Sequence, residues 1–166
     1  MPIGTGTGYN AALLSHRLGD RRVTSVDIDP GLVAQARAAL ARVGYTPRLA
    51  AADGLAGYPP SAPYDRIIAT CSVRRVPAAW LAHTRPGGVV MANLSDGVVP
   101  LRIDGDGIGY GKFLGQVCAF IEARPADSPA GPTTQQIIDT AMGGTGRARS
   151  AGPEADGWAD PRFEFL

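Results

Sequence analysis

A layered α/β fold on a mostly parallel sheet is what this chain of 166 residues predicts, and three observations predict it. β-Rich runs alternate with helical periods from residue 9 to residue 94, the pattern of a parallel sheet covered by helices. Glycines 4, 6 and 8 lie directly before the first helical run, where glycine permits positive φ and lets a ligand approach the main chain. Asp27 closes the next β-rich run, about twenty residues later, where an acid can accept ribose hydroxyls.

Residues 9–18 predict a helix with Leu14 and Leu18 on one side and Gly19 as its stop. Residues 22–27 predict a strand buried on both faces. Asp29 and Pro30 open a second helix as cap and first residue, with Leu32, Ala36, Ala39, Leu40 and Val43 as its stripe and Gly44 at its end. Residues 47–53 predict a third strand ending in Asp53 and Gly54, followed by a loop of turn residues over 57–63. Residues 64–71 read as a buried parallel strand, 77–83 as a short helix carrying Trp80, 85–88 as a turn and 89–94 as another buried strand. Residues 98–103 and 108–114, joined by Asp104-Gly-Asp-Gly, predict a hairpin, an antiparallel edge on the parallel sheet, and residues 117–123 an extension of its second arm. Residues 125–132 are rich in Pro, Ala, Gly and Ser, 133–142 allow one helix, and 143–157 read as a linker. The division expected is a core over residues 1–124 and a tail over 125–166.

Composition narrows the function classes. A formal net charge of +1 gives no electrostatic case for nucleic acid or an anionic membrane. No apolar run has the length of a membrane span, and the start lacks the basic and apolar blocks of a signal peptide, so a cytoplasmic protein is expected. Cys71 and Cys118 predict buried thiols and no disulfide framework. His16 and His83 are expected to be solvated or structural. Asp104 and Asp106 lack the glutamate that would complete a calcium loop, and no metal site is visible.

The glycine spacing G-x-G-x-G differs from the G-x-G-x-x-G of dinucleotide sites. It favours S-adenosylmethionine, which carries no pyrophosphate to be cradled, over a dinucleotide. No Cys/His or Ser/His/Asp constellation is present in the sequence.

The runs IGTGTGYNAALL, SVDIDPGL, ADG at 52–54, YDRIIATCSV and RPGGVVM, in this order, resemble the protein-L-isoaspartate O-methyltransferase family over roughly residues 3–124. Details of the glycine loop and the Pro/Gly-rich tail are similar to a bacterial branch that methylates side-chain carboxyls of peptides. The resemblance implies a Rossmann-like fold, S-adenosyl-L-methionine as cofactor and a peptide or protein carboxylate as acceptor. It implies that Gly4, Thr5, Gly6 and Gly8 meet the methionine end of the cofactor. Asp27 would take the ribose, Ile28 and Asp53 with Gly54 the adenine, and Thr70 with Cys71 the floor of the site. Arg74 and Arg75 stand at its mouth. The family carries an acidic residue two positions before the first glycine, where this chain has Pro2, and helices ahead of the first strand that orient the acceptor. The first strand is therefore expected to be largely missing. Two outcomes follow: part of an active carboxyl methyltransferase, or a cofactor-binding remnant without transfer.

Overall fold

The computed structural model describes residues 1–95, 97–115, 118 and 120–124. The chain divides into two units, Met1–Ser128 and Pro129–Leu166; the helix expected over 133–142 and the linker over 143–157 lie outside the described residues.

The first unit is one seven-stranded sheet. Its strands are β1 (Pro2–Ile3), β2 (Thr24–Asp27), β3 (Arg48–Ala51), β4 (Tyr64–Val73), β5 (Thr84–Leu94), β6 (Gly97–Ile103) and β7 (Gly109–Tyr110). Their order across the sheet is β3-β2-β1-β4-β5-β6-β7. The first five are mutually parallel, and β6 and β7 add antiparallel at one edge. β1 has two residues. It is nevertheless central: Ile3 pairs with Val26 on one side and with Ala69 on the other.

Three helices cross between strands: α1 (Tyr9–Leu18), α2 (Pro30–Arg42) and α3 (Ala78–Ala82). Gly19, at φ 84°, stops α1, and the Asp29 side chain caps α2 by accepting from the Gly31 and Leu32 amides. The buried residues of α1 are Ala11 and Ser15, and Leu18 is 46% exposed. The cause is the close approach of α1 and α2, where a Cβ built on Gly8 would lie 3.3 Å from the Ala36 and Leu40 side chains. Only small residues fit that contact, and Leu14 and Leu18 turn elsewhere. On α2 the buried positions are Val33, Ala36 and Leu40. Val43 is exposed because it lies past the last helical residue, at φ −105° and ψ 13°.

The main core gathers Trp80, Ile67, Val26, Val90 and Ile103, all essentially inaccessible. Burial of such side chains is worth roughly 1.5–3 kcal/mol each relative to exposure. The segment expected to lengthen the hairpin instead returns to β4. The Ser72 amide donates to the Ile121 carbonyl at 2.9 Å, and the Ala123 amide donates to the Ser72 carbonyl at 2.8 Å. Val117 lies outside the described residues. Asp104 acts as a turn residue, its Oδ1 accepting from the Asp106 and Ile108 amides at 2.9 and 2.8 Å. Among the described residues no cluster of His, Cys, Asp and Glu could hold a metal ion, and no helix is long and apolar enough to cross a membrane.

Candidate functional site

Ile3 carries the chain from β1 into the glycine loop. The Gly4 and Thr5 amides both donate to the Val26 carbonyl, at 2.9 and 3.1 Å, which fixes the loop to the end of β2. Gly4, Gly6 and Gly8 take φ of 90°, 52° and 87°, values that other residues adopt at a cost of roughly 1–2 kcal/mol. A Cβ on Gly6 would meet nothing within 4 Å, so the space above the loop is open to a ligand. Below it, the Thr70 hydroxyl donates into the Ile3 and Gly4 carbonyls at 2.9 and 2.8 Å. Thr70 thus anchors the loop from the neighbouring strand. The Thr5 hydroxyl points inward, 2.8 Å from Ser25 Oγ in a buried pair, so its side chain supports the loop and offers nothing to a ligand. The helix that follows begins after Gly8 with no side-chain cap, leaving its first amides for another acceptor.

Asp27 stands at the C-terminal end of β2, half-buried. Its Oδ2 accepts from the Gly6 amide at 2.9 Å and its Oδ1 from the Asp29 amide at 3.1 Å. A carboxylate offers about four acceptor positions, so each oxygen retains one. Ile28 follows, half-buried. Asp53 lies two residues past β3, the strand beside β2, and its Oδ1 accepts from the Leu55 amide at 2.8 Å. Gly54 is packed: a Cβ there would lie 2.5 Å from Ile3 Cγ2. Its carbonyl accepts from the buried Trp80 indole at 2.7 Å. Gly54 therefore lets β1 and α3 close on the loop.

Burial, and secondarily the charge of Asp27, push the half-buried Cys71 thiol up to about 11. It is a weakly acidic, unreactive thiol at the floor. Beyond β4, a pocket of about 760 Å³ is bounded by Leu55, Val73, Arg74, Arg75 and Val76. Arg74 is committed to Glu122, Nε to Oε1 at 2.8 Å, and Arg75 is exposed. The two histidines lie elsewhere: His16 Nδ1 is 2.9 Å from the Tyr45 hydroxyl, and His83 packs under Gly57.

The structure thus gathers Gly4, Gly6, Asp27 and Thr70 at one end of the parallel strands, with Asp53 beside them across β2. Ligand sites in open α/β sheets lie at this end, where the strand order reverses, and here it reverses at β1. Ser25 and Trp80 are supports that sequence reasoning did not assign. Ser25 is an unremarkable strand residue until the β1–β2 register brings Thr5 over it.

A family profile described as protein-L-isoaspartate(D-aspartate) O-methyltransferase matches residues 1–100. The protein-L-isoaspartate O-methyltransferase of Ignicoccus hospitalis is 39% identical over 93 residues, covering 55% of this chain and 44% of the relative. Protein-L-isoaspartate O-methyltransferase 1 of Anaeromyxobacter sp. strain Fw109-5 is 40% identical over 106 residues, covering 61% and 49%. The chain spans about half the length of the curated relatives it matches. A solved protein-L-isoaspartate O-methyltransferase superposes with a TM-score of 0.69 at 28% identity, over 75% of this chain and 41% of that one. A Plasmodium falciparum protein described as the same kind of enzyme, in complex with S-adenosyl-L-homocysteine, superposes with a TM-score of 0.60 over 74% and 64%. At 14% identity it shows the shared fold.

Proposed function

We propose that this chain, which belongs to the protein-L-isoaspartate(D-aspartate) O-methyltransferase family, is the S-adenosylmethionine-binding part of a carboxyl O-methyltransferase acting on peptide or protein carboxylates. The observation that carries the reading is the convergence at β1. The open glycine loop, the carboxylate of Asp27 and the Thr70 anchor meet where the strand order reverses. The residues fit the cofactor. Gly4, Gly6 and Gly8 with the uncapped start of α1 suit its carboxylate end. The remaining acceptor positions of Asp27 suit two ribose hydroxyls, and Ile28, Asp53 and Gly54 border the adenine. Thr5 and Thr70 hold the loop in place.

When bound, the cofactor supplies a methyl group on a positively charged sulfur. An acceptor carboxylate is already ionised at neutral pH, with an unperturbed pKa near 4, so the protein needs no general base. Its work is positioning and exclusion of water. The apolar pocket beyond β4 suits a peptide, and Arg75 suits its negative charge. The core occupies residues 1–124, with residues 125–166 as a tail, in a cytoplasmic protein without nucleic-acid partners.

The resemblance implies that the loop orienting the acceptor lies ahead of the matched residues. Mass spectrometry for a methyl ester on an isoaspartyl peptide tests the reading. Transfer that appears when a relative's preceding segment is fused to this chain supports it. A folded fusion that binds cofactor without transfer favours a cofactor-binding remnant instead.

A further inference from the structure

Trp80 is the one buried residue of α3, and it is wholly inaccessible. A helix of five residues is too short to hold itself in water, so its neighbours set its place. Two bonds do this. The Thr84 hydroxyl donates to the Trp80 carbonyl at 2.7 Å, and the Trp80 indole donates to the Gly54 carbonyl at 2.7 Å. The first ties α3 to the start of β5. The second ties it to the turn that follows β3.

That turn, Gly54–Ala56, carries Asp53 at its head. It closes on itself without help. The Asp53 side chain accepts from the Leu55 amide at 2.8 Å, and the Gly54 carbonyl accepts from the Gly57 amide at 3.1 Å. A carbonyl has two lone pairs, and the second on Gly54 goes to Trp80. The indole bond is therefore not needed to form the turn; it fixes where the turn stands. Among the described residues, Trp80 is the one side chain from another element that hydrogen-bonds to residues 53–57.

The turn is seated closely. A Cβ on Gly54 would lie 2.5 Å from Ile3 Cγ2, and one on Gly57, at φ 71°, would lie 2.4 Å from His83 Nδ1. At its entry, the Ala52 amide donates to the Asp27 carbonyl at 2.8 Å. With the entry pinned there, the freedom left to the turn is a tilt about that point. The Trp80 bond opposes that tilt, and the tilt sets how Asp53 stands beside Asp27.

We infer that Trp80 is a positioning residue for the cofactor: its indole holds the turn at the tilt that presents the Asp53 carboxylate to the adenine. This rests on the cofactor reading given above. Phenylalanine at position 80 keeps a ring in the core and removes the donor. The turn then still forms but is no longer held to α3, and Asp53 must be ordered when the adenine arrives.

Calorimetry with S-adenosylhomocysteine tests it on the full chain and on Trp80→Phe, Asp53→Ala and the double variant. Each single change is expected to weaken binding about tenfold, the size of one hydrogen bond. The double change is expected to weaken it about tenfold as well, because residues that act through one another are not additive. Ile103→Val, a truncation of the same core on β6, is expected to leave the affinity unchanged. A second measurement needs no substitution: S-adenosylhomocysteine is expected to shift the Trp80 indole N–H resonance of the wild-type chain, since ordering Asp53 alters the bond to Gly54. Unchanged affinity in a folded Trp80→Phe chain overturns the inference alone. So does a double variant weakened about a hundredfold, the product of the single effects. An equal loss from Ile103→Val, or an indole resonance that the ligand leaves in place, overturns it too. A wild-type chain that does not bind S-adenosylhomocysteine overturns the cofactor reading and this inference with it.

Discussion

Replacing Asp27 by alanine acts on the loop before it acts on any ligand. The carboxylate accepts from the Gly6 amide at 2.9 Å and from the Asp29 amide at 3.1 Å, tying the glycine loop to the turn that starts α2. Hydrogen bonds to charged groups contribute about 1.5–3 kcal/mol each, and because Asp27 is only half-buried the low end applies. Asp27→Ala should therefore cost ~3 kcal/mol in total and lower Tm by about 6–12 °C. Loss of the two remaining acceptor positions should weaken S-adenosylhomocysteine binding about ten- to a hundredfold, at 1.4 kcal/mol per decade. Asp27→Asn, which keeps one acceptor oxygen, should fall between the wild type and alanine in both measurements. Thermal scans and calorimetry on the same samples separate the two effects. A folded Asp27→Ala chain with unchanged Tm and unchanged affinity would refute the reasoning, since neither loop nor ribose would then depend on this side chain.

Two glycines should respond differently. Gly54→Ala drives a methyl to 2.5 Å from Ile3 Cγ2 and should destabilise by about 1–3 kcal/mol in urea unfolding; Gly6→Ala meets no atom within 4 Å and should cost only about 1 kcal/mol while lowering cofactor affinity. The Cys71 thiol, raised to about 11 by burial, should be about one part in a thousand thiolate at pH 8 and should resist iodoacetamide until the chain unfolds, as followed by mass spectrometry. The Met1 amine titrates near 8.0 when unfolded and at about 6 when folded. Between those values the unfolded chain binds more protons, so stability should rise from pH 6 to pH 8 by roughly 2–3 kcal/mol, at 1.36 kcal/mol per unit. N-terminal acetylation should remove that slope.

The legible features were those written locally. The glycine loop, Asp27 at a strand end, and Asp29 with Pro30 at a helix start each depend on neighbours within a few residues, and each stands where the pattern put it. Leu14 and Leu18 also read as one side of a helix by spacing. Spacing reports that two side chains share a face, however, and not which neighbour that face meets; here α1 buries its small residues Ala11 and Ser15 and leaves Leu18 46% exposed. The return of residues 121–123 to Ser72 was illegible for a related reason: a single bridge across about fifty positions leaves no periodic trace. Thr5 looked like a ligand contact because it sits among the glycines, and only the β1–β2 register reveals the Ser25 hydroxyl beneath it. Trp80 was legible as a residue of a short helix, but neither its burial nor the Gly54 carbonyl that satisfies its indole was.

The central claim, that the loop at β1 receives S-adenosylmethionine and not a dinucleotide, is tested most directly by titrating the chain with S-adenosylhomocysteine and with NAD in the same calorimeter cell. The account predicts heat from S-adenosylhomocysteine, weak but saturable, that is diminished by Asp27→Ala, and none from NAD. Saturable binding of NAD with no response to S-adenosylhomocysteine would contradict it.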